Sequence, residues 1–380
     1  MIARLIAPQI VARLKLEPAA VLLGPRQSGK TTLARSLATD YFDLEQSGDQ
    51  TRLDARWPEI MAHKGLVAFD EAQSWPPLFS RLRGAIDQAP ERAGRFLLLG
   101  SVSPILIREI AESLTGRVAL FNLGPLVHPE IPRLPLDELW LRGGFPRVVT
   151  GPERFPSWAR DYVENLCYRD LPSWGWSASP QVTDRFLNML AVLHGQLWNA
   201  SQVGASLGLS HPTVERYLDF LEGTFLIRRL RPWTGNLRKR LRKAPKVYWR
   251  DSGLLHALLG MDSLDRLLAQ PWVGASWEGF VIEQILGSLA ASGRHVDPSY
   301  LRTSDGYEID LVFRLGDQTW AIEIKLTSDP SPQDLNRLNK AADLIEADRR
   351  VLISKAPSSA VGERVASCNL SGALDLILGQ

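Results

Sequence analysis

The chain has 380 residues, 45% hydrophobic and 23% charged, enough for two to three domains that each bury a core. Lys and Arg number 44 against 42 Asp and Glu, a net charge of +2 that says nothing of partners until it is mapped along the chain. Two cysteines (Cys167, Cys368) exclude a disulfide framework or zinc cluster, the six histidines show no ligand spacing, and no stretch nears the roughly 18 apolar residues of a membrane span, so a soluble cytoplasmic protein is expected.

Ala19 to Leu23 is a short apolar run suited to a buried parallel strand. It leads into Gly24-Pro25-Arg26-Gln27-Ser28-Gly29-Lys30-Thr31, which fits GxxxxGK[ST] at every fixed position. From Thr32 to Ala38 the spacing is helical, with Leu33 and Leu37 on one face. This strand, loop and helix predict a site for ATP. Loop N–H groups and the helix dipole wrap the phosphates, Lys30 reaches the β and γ groups, and Thr31 holds Mg²⁺.

A second buried strand, Leu66 to Phe69, ends in Asp70-Glu71. Asp70 is expected to serve as an outer ligand of Mg²⁺ and Glu71 to polarise the attacking water; the plainer alternative is an acidic cap before Ala72. A third strand, Phe96 to Leu99, runs into Gly100-Ser101-Val102-Ser103. Ser101 stands where a hydroxyl senses the γ-phosphate or holds the water, or is an ordinary turn serine.

These strands, with Ser113-Leu114-Thr115-Gly116-Arg117 and Gly124-Pro125-Leu126, resemble the AAA+ superfamily, and within it the bacterial and archaeal ATPases whose C-terminal half is a DUF4143 domain. The later landmarks are Gly143-Gly144-Phe145-Pro146, Tyr168-Arg169-Asp170-Leu171 and Lys246 to Leu254. The resemblance implies a Mg²⁺-dependent ATPase working as a ring-like homo-oligomer. In it Arg117 is the arginine finger reaching a neighbouring subunit, and Arg147 a second candidate, a phosphate sensor within the subunit. Val127-His128 departs from the pattern, which usually has a serine there.

A helix after Pro156 is expected to carry Trp158, Tyr162, Leu166 and Tyr168 as one stripe. Ser201 to Gly208 reads as a short helix closed by glycine, and Ser210 caps a second helix whose inner stripe is Val214, Tyr217, Leu218 and Leu221. This is a helix-turn-helix pattern, with Phe225 to Leu230 opening a wing. From Arg228 to Arg250 there are ten basic residues and no acid, interleaved with Trp233, Tyr248 and Trp249. Such a cluster fits a phosphate backbone, and DNA is the expected partner, through Arg216, Arg228, Arg229, Arg238, Lys239, Arg240, Arg242 and Lys243. A solvated basic face, or a docking surface for an acidic protein, is the alternative.

Strands Asp310 to Leu315 and Gln318 to Leu326 flank Gly316-Asp317, a two-residue hairpin turn in which facing residue numbers sum to 633. Asp310 then faces Glu323, and Lys325 shares Glu323's side of the strand. This patch resembles the PD-(D/E)xK nuclease fold, in which Asp310 and Glu323 would bind a divalent metal with Glu278 as a further ligand, and Glu323 and Lys325 would serve catalysis. The alternative is a binding fold whose acids are neutralised by Lys325 and nearby arginines.

The expected architecture is α/β: a P-loop ATPase core over 1–129, a helical lid and linker over 130–180, a winged helix-turn-helix with its basic segment over 181–260, and a nuclease-like α/β module over 261–380.

Overall fold

The computed structural model describes residues 2–101, 104–235 and 244–379. Five of the expected DNA contacts, Arg238, Lys239, Arg240, Arg242 and Lys243, therefore lie outside the described residues.

The first half is built on five parallel strands, β1 (Ala19–Gly24), β2 (Asp40–Asp43), β3 (Val67–Asp70), β4 (Phe96–Ser101) and β5 (Val118–Asn122), in the spatial order β2-β3-β4-β1-β5. Every residue of β1, β3 and β4 is buried, as expected where helices cover both faces of a sheet and strands run apolar throughout. The polar strand ends Gly24, Asp70 and Ser101 consequently emerge along one edge, the usual place for a ligand in an open parallel sheet.

Helices follow from residue 136 to 223. Ser157–Asn165 begins after Pro156, and Tyr162 is buried with Phe145 and Trp158 against it. The expected stripe fails at Tyr168, which is 60% exposed. From Leu166 to Asp170 the helix widens to a π-turn in which Leu166, Cys167 and Asp170 are buried; Tyr168, two residues on from Leu166, falls on the opposite side, as it would in any helix.

The paired helices are present as Ala200–Leu207 and His211–Gly223. Gly208 closes the first at φ 68°, and Ser210 caps the second by accepting from Thr213 N–H. Val214, Tyr217, Leu218 and Leu221 are all buried.

The second sheet has eight strands. They are β6 (Ile227–Pro232), β7 (Lys246–Trp249), β8 (Ser299–Arg302), β9 (Glu308–Leu315), β10 (Gln318–Ile324), β11 (Arg349–Ile353), β12 (Ala360–Val361) and β13 (Val365–Cys368), in the order β12-β13-β11-β10-β9-β8-β6-β7. The strand expected as a wing is thus part of this larger sheet: β6 pairs with β7 on one side and, through Arg231 and Pro232, with β8 on the other. A hydrophobic cluster runs from Leu139 through Tyr217 and Trp249 to Leu378, so the core is continuous across residue 260. Helix Val273–Ala291 backs the sheet; its apolar residues lie all round it, as suits a helix buried between layers.

Candidate nucleotide site and C-terminal acidic pocket

Two glycines set the loop. A Cβ on Gly24 would stand 2.2 Å from the Leu123 carbonyl oxygen, and Gly29 holds φ 97° as the N-cap of helix Lys30–Leu37. Lys30 is buried and donates to the carbonyls of Gly24 (2.9 Å) and Pro25 (3.0 Å). Burial holds its ammonium below its ordinary pKa, against the pull of Glu71 and Asp70. Ser28 Oγ is buried with no hydrogen-bond partner among the described residues, a polar atom left over inside the loop. Arg26 pairs with Asp170 (3.3 Å) and Glu45 (3.6 Å), and Trp158 Nε1 donates to Gln27 Oε1 at 3.1 Å, so side chains from the following helices hold the loop from outside.

The Thr31 hydroxyl donates to Asp70 Oδ2 at 2.6 Å, and the Tyr41 hydroxyl donates to the same oxygen at 2.7 Å. Asp70 Oδ1 accepts from Glu71 N–H at 2.9 Å, which fixes the carboxylate at three points. Glu71 itself sits at φ 46°, a conformation that costs a non-glycine residue roughly 1–3 kcal/mol and clusters at functional sites. Its oxygens accept from Gln73 Nε2 (2.5 Å) and Ser101 Oγ (3.4 Å). Ser101 therefore holds Glu71, a role neither sequence alternative named. The donor set fits a triphosphate with Mg²⁺: an ammonium in the loop, a hydroxyl and a carboxylate side by side, and a second carboxylate beyond them.

A cavity of about 550 Å³ opens beside the loop, lined by Gly29, Thr32 and Leu33, by Ile2, Arg4, Ala7 and Pro8, and by Pro146, Arg147 and Thr150. Sequence reasoning missed the amino-terminal wall. Arg4 was the findable signal: a lone cation before an apolar helix, it donates to Ser28 O (2.7 Å) and Gly124 O (2.8 Å) and pairs with Glu130 (3.0 Å). Arg147 lines this cavity, while Arg117 lies elsewhere and is paired with Asp87.

The landmarks Gly143-Gly144 and Asp251-Ser252-Gly253 meet. Asp251 accepts from Gly144 N–H (2.8 Å) and Leu254 N–H (2.9 Å), and a Cβ on Gly253 would fall 2.0 Å from the Arg142 carbonyl oxygen. Burial pushes the Asp251 carboxyl up to about 6.

Two of the expected DNA contacts are spent inside the protein. Arg228 is ion-paired with Glu283, which also takes Arg250 at 3.1 Å. Burial works against the charge on Glu283, and the two guanidinium groups outweigh it and hold its carboxyl below the ordinary value. Arg229 pairs with Asp219 (2.6 Å), with Glu222, and with Glu215 (3.7 Å) on the second helix of the pair. Of the run of cations without acids in sequence, Arg228, Arg229, Lys246 and Arg250 are thus matched by acids from elsewhere in the fold. Arg216 is exposed, with its guanidinium 5.8 Å from the Tyr217 ring.

In the C-terminal sheet the sum of 633 holds from Gln318↔Leu315 to Ile322↔Leu311, which brings Asp310 and Glu323 together at the end of the ladder. Lys325 donates to Glu323 Oε1 at 2.5 Å. Asp310 Oδ2 accepts from Ile324 N–H at 2.8 Å. Glu278, on the wall of the same cavity, is held by Lys246 Nζ (2.9 Å) and the Tyr248 hydroxyl (2.5 Å). Among the described residues no group of three or more His, Cys, Asp or Glu side chains is disposed to hold a metal ion, so the expected ligand set Glu278, Asp310 and Glu323 is not assembled. Burial raises the Asp310 carboxyl well above its ordinary range, with Glu278 and Glu323 adding to the effect. No helix among the described residues is long and apolar enough to cross a membrane.

Residues 16–131 match the family model AAA_14, an AAA domain; residues 133–265 match DUF8612 and residues 273–367 match DUF4143, both domains of unknown function. The uncharacterized protein Rv2008c of Mycobacterium tuberculosis is 41% identical over 320 residues, 83% of this chain and 71% of that protein. An uncharacterized protein of Haemophilus influenzae is 22% identical over 376 residues, 88% of each. Among solved structures, the Walker-type ATPase PABY2304 of Pyrococcus abyssi aligns at 16% identity and TM-score 0.48 over 68% of this chain and 96% of that one. The chain belongs to the family of Rv2008c, and its first domain is an AAA domain with a phosphate-binding loop.

Proposed function

We propose that this protein is a Mg²⁺-dependent ATPase. The observation that carries the reading is the Thr31 hydroxyl on Asp70 at 2.6 Å beside the buried Lys30. On nucleotide binding Lys30 exchanges the carbonyls of Gly24 and Pro25 for the β and γ phosphates. Thr31 and Asp70 would hold the metal, which when bound would offset the phosphate charge. Glu71, kept in place by Gln73 and Ser101, orients the attacking water and takes its proton. Arg117, standing away from its own loop, supplies positive charge to a neighbouring subunit's site, which makes the active form a homo-oligomer.

Replacing Lys30 by Ala tests the reading. Binding of a fluorescent ATP analogue should weaken at least about tenfold, since a charge-assisted contact to phosphate is lost. Turnover by the wild type should vanish when Mg²⁺ is chelated. Unchanged affinity in the Lys30 variant contradicts it.

The partner reading divides. DNA contact now rests on Arg216 and the cations at 238–243. The pairing of Arg229 with Glu215, Asp219 and Glu222 favours protein docking for the helix pair itself, since that face offers a major groove several acids. Stimulation of ATP turnover by DNA at low salt favours the first; turnover indifferent to DNA favours the second.

A further inference from the structure

The PD-(D/E)xK resemblance brings with it a divalent metal, and the acidic pocket of this chain does not fit one. We infer that the ammonium of Lys246, set behind the acids, draws Glu278 and Glu308 to itself and so denies a metal the ligands it would need.

Lys246 opens β7, outside the hairpin that carries the acids. Its side chain is 5% exposed, and its Nζ lies 2.9 Å from Glu278, 3.0 Å from Glu308 and 4.0 Å from Asp310. Three carboxylates from two different elements thus converge on one nitrogen. A divalent metal needs several carboxylate oxygens at about 2.0–2.6 Å around a common point, and Lys246 holds Glu278 and Glu308 to itself instead. Other contacts fix the acids further: Glu278 Oε1 takes the Tyr248 hydroxyl as well as Lys246, Asp310 Oδ2 takes Ile324 N–H, and Glu323 Oε1 takes Lys325. Glu323 Oε2 is buried without a partner among the described residues.

Lys246 is also fixed from behind. Its backbone pairs with Leu230 in β6 and bridges to Leu197, and the neighbouring Pro245 carbonyl accepts from Trp198 N–H at 2.7 Å. Pinned on both sides, the residue holds its ammonium against Glu278 and Glu308 as a structural part of the sheet. Lys325, Arg337 and Lys340 add further positive charge to the walls of the same cavity of about 660 Å³. Charge is balanced here by side chains, in the place where a nuclease of this fold would use an ion.

The test is a titration of nucleotide-free protein with Mn²⁺, followed by the loss of the free-ion electron paramagnetic resonance signal. The wild type and Asp310→Asn should give the same weak uptake. Lys246→Met, which keeps the stem and removes the charge, should gain one site at least about tenfold tighter, and Lys246→Met with Asp310→Asn should lose it. A wild-type site of one Mn²⁺ that disappears in Asp310→Asn overturns the inference, as does a folded Lys246→Met that gains no site. Should Lys246→Met fail to fold, the comparison of wild type with Asp310→Asn decides alone: equal uptake upholds the inference and lost uptake refutes it. Because no nucleotide is present, the outcome is independent of the ATPase reading.

Discussion

Arg117 and Asp87 form a two-point ion pair, Nε to Oδ1 at 2.7 Å and Nη2 to Oδ2 at 3.0 Å, at the end of the five-stranded sheet away from the phosphate loop. The next residue, Val118, pairs with Ala19 at the start of β1, whereas the loop begins where β1 ends. Strand geometry separates those ends by roughly 17 Å or more, so Arg117 cannot serve its own site. The pair is screened by solvent and holds the arginine loosely.

Arg117→Ala should therefore retain nucleotide affinity while turnover falls on the order of 10³-fold, as for other arginine fingers. Mixing it with an inactive Glu71→Gln protein should restore part of the activity, since mixed assemblies contain sites with both groups intact. No recovery, with mixing verified by mass, would refute action in trans.

Glu283 between Arg228 and Arg250 gives a second prediction. Removing one member of a buried ion cluster leaves uncompensated charge and typically costs about 3–5 kcal/mol. Glu283→Gln should lower stability by that order in denaturant unfolding. Arg228→Met should leave the salt dependence of any DNA binding unchanged, whereas neutralising Arg238, Lys239, Arg240 and Lys243 together should reduce the log–log slope by about 3 to 4. A slope that changes with Arg228 and not with those four would reverse the assignment.

Two buried histidines should each withdraw stability on acidification below pH 6.5. Burial holds His194 at about 3 and His256 at about 4, both down from 6.5. His256 contacts Leu141 O (2.8 Å) and Ser276 Oγ (2.7 Å), while His194 Nδ1 accepts from Trp249 N–H. As pH drops through 6.5 the unfolded chain binds two protons that the folded chain refuses. Asp251 acts oppositely: raised from 3.8 to about 6, it keeps a proton in the folded state that the unfolded state lacks across that interval. Asp310, Glu323 and Glu45, also raised, act with Asp251, and His128, also lowered, acts with the two histidines, so the contribution of one histidine is read from its own variant. One proton is worth about 1.4 kcal/mol per pH unit, and in urea unfolding between pH 6 and 4 His256→Gln should change the slope of stability against pH by about that amount relative to wild type. A slope unchanged by His256→Gln would contradict the assignment.

What could be read in advance depended on how local its cause was. The loop, the Asp70-Glu71 strand end and the Gly208 and Ser210 caps follow from residues adjacent in sequence. The hairpin register followed from one turn type. The fate of Arg228 could not be read this way, because Glu283 reaches it from a helix far along the chain; nor could that of Lys246, whose acids lie on the helix Val273–Ala291 and on β9. A run of cations in sequence shows where charge is carried but not which acids the fold brings to it. Tyr168 was misplaced because it stands only two residues after Leu166, about 200° round a helix from it, so it never shared the face of Tyr162 and Leu166. The amino-terminal wall of the cavity escaped because Ile2, Ala7 and Pro8 carry no chemistry until the fold sets them beside Gly29.

The central claim is that Glu71 activates water at a nucleotide site formed by Lys30, Thr31 and Asp70. Steady-state ATP turnover by Glu71→Gln, with ATP affinity measured on the same preparation, tests it most directly. Affinity should stay within about threefold of wild type while turnover drops on the order of 10²-fold or more, the usual worth of a general base. Hydrolysis at the wild-type rate would contradict the claim, and would leave Glu71 only its contacts to Gln73 and Ser101.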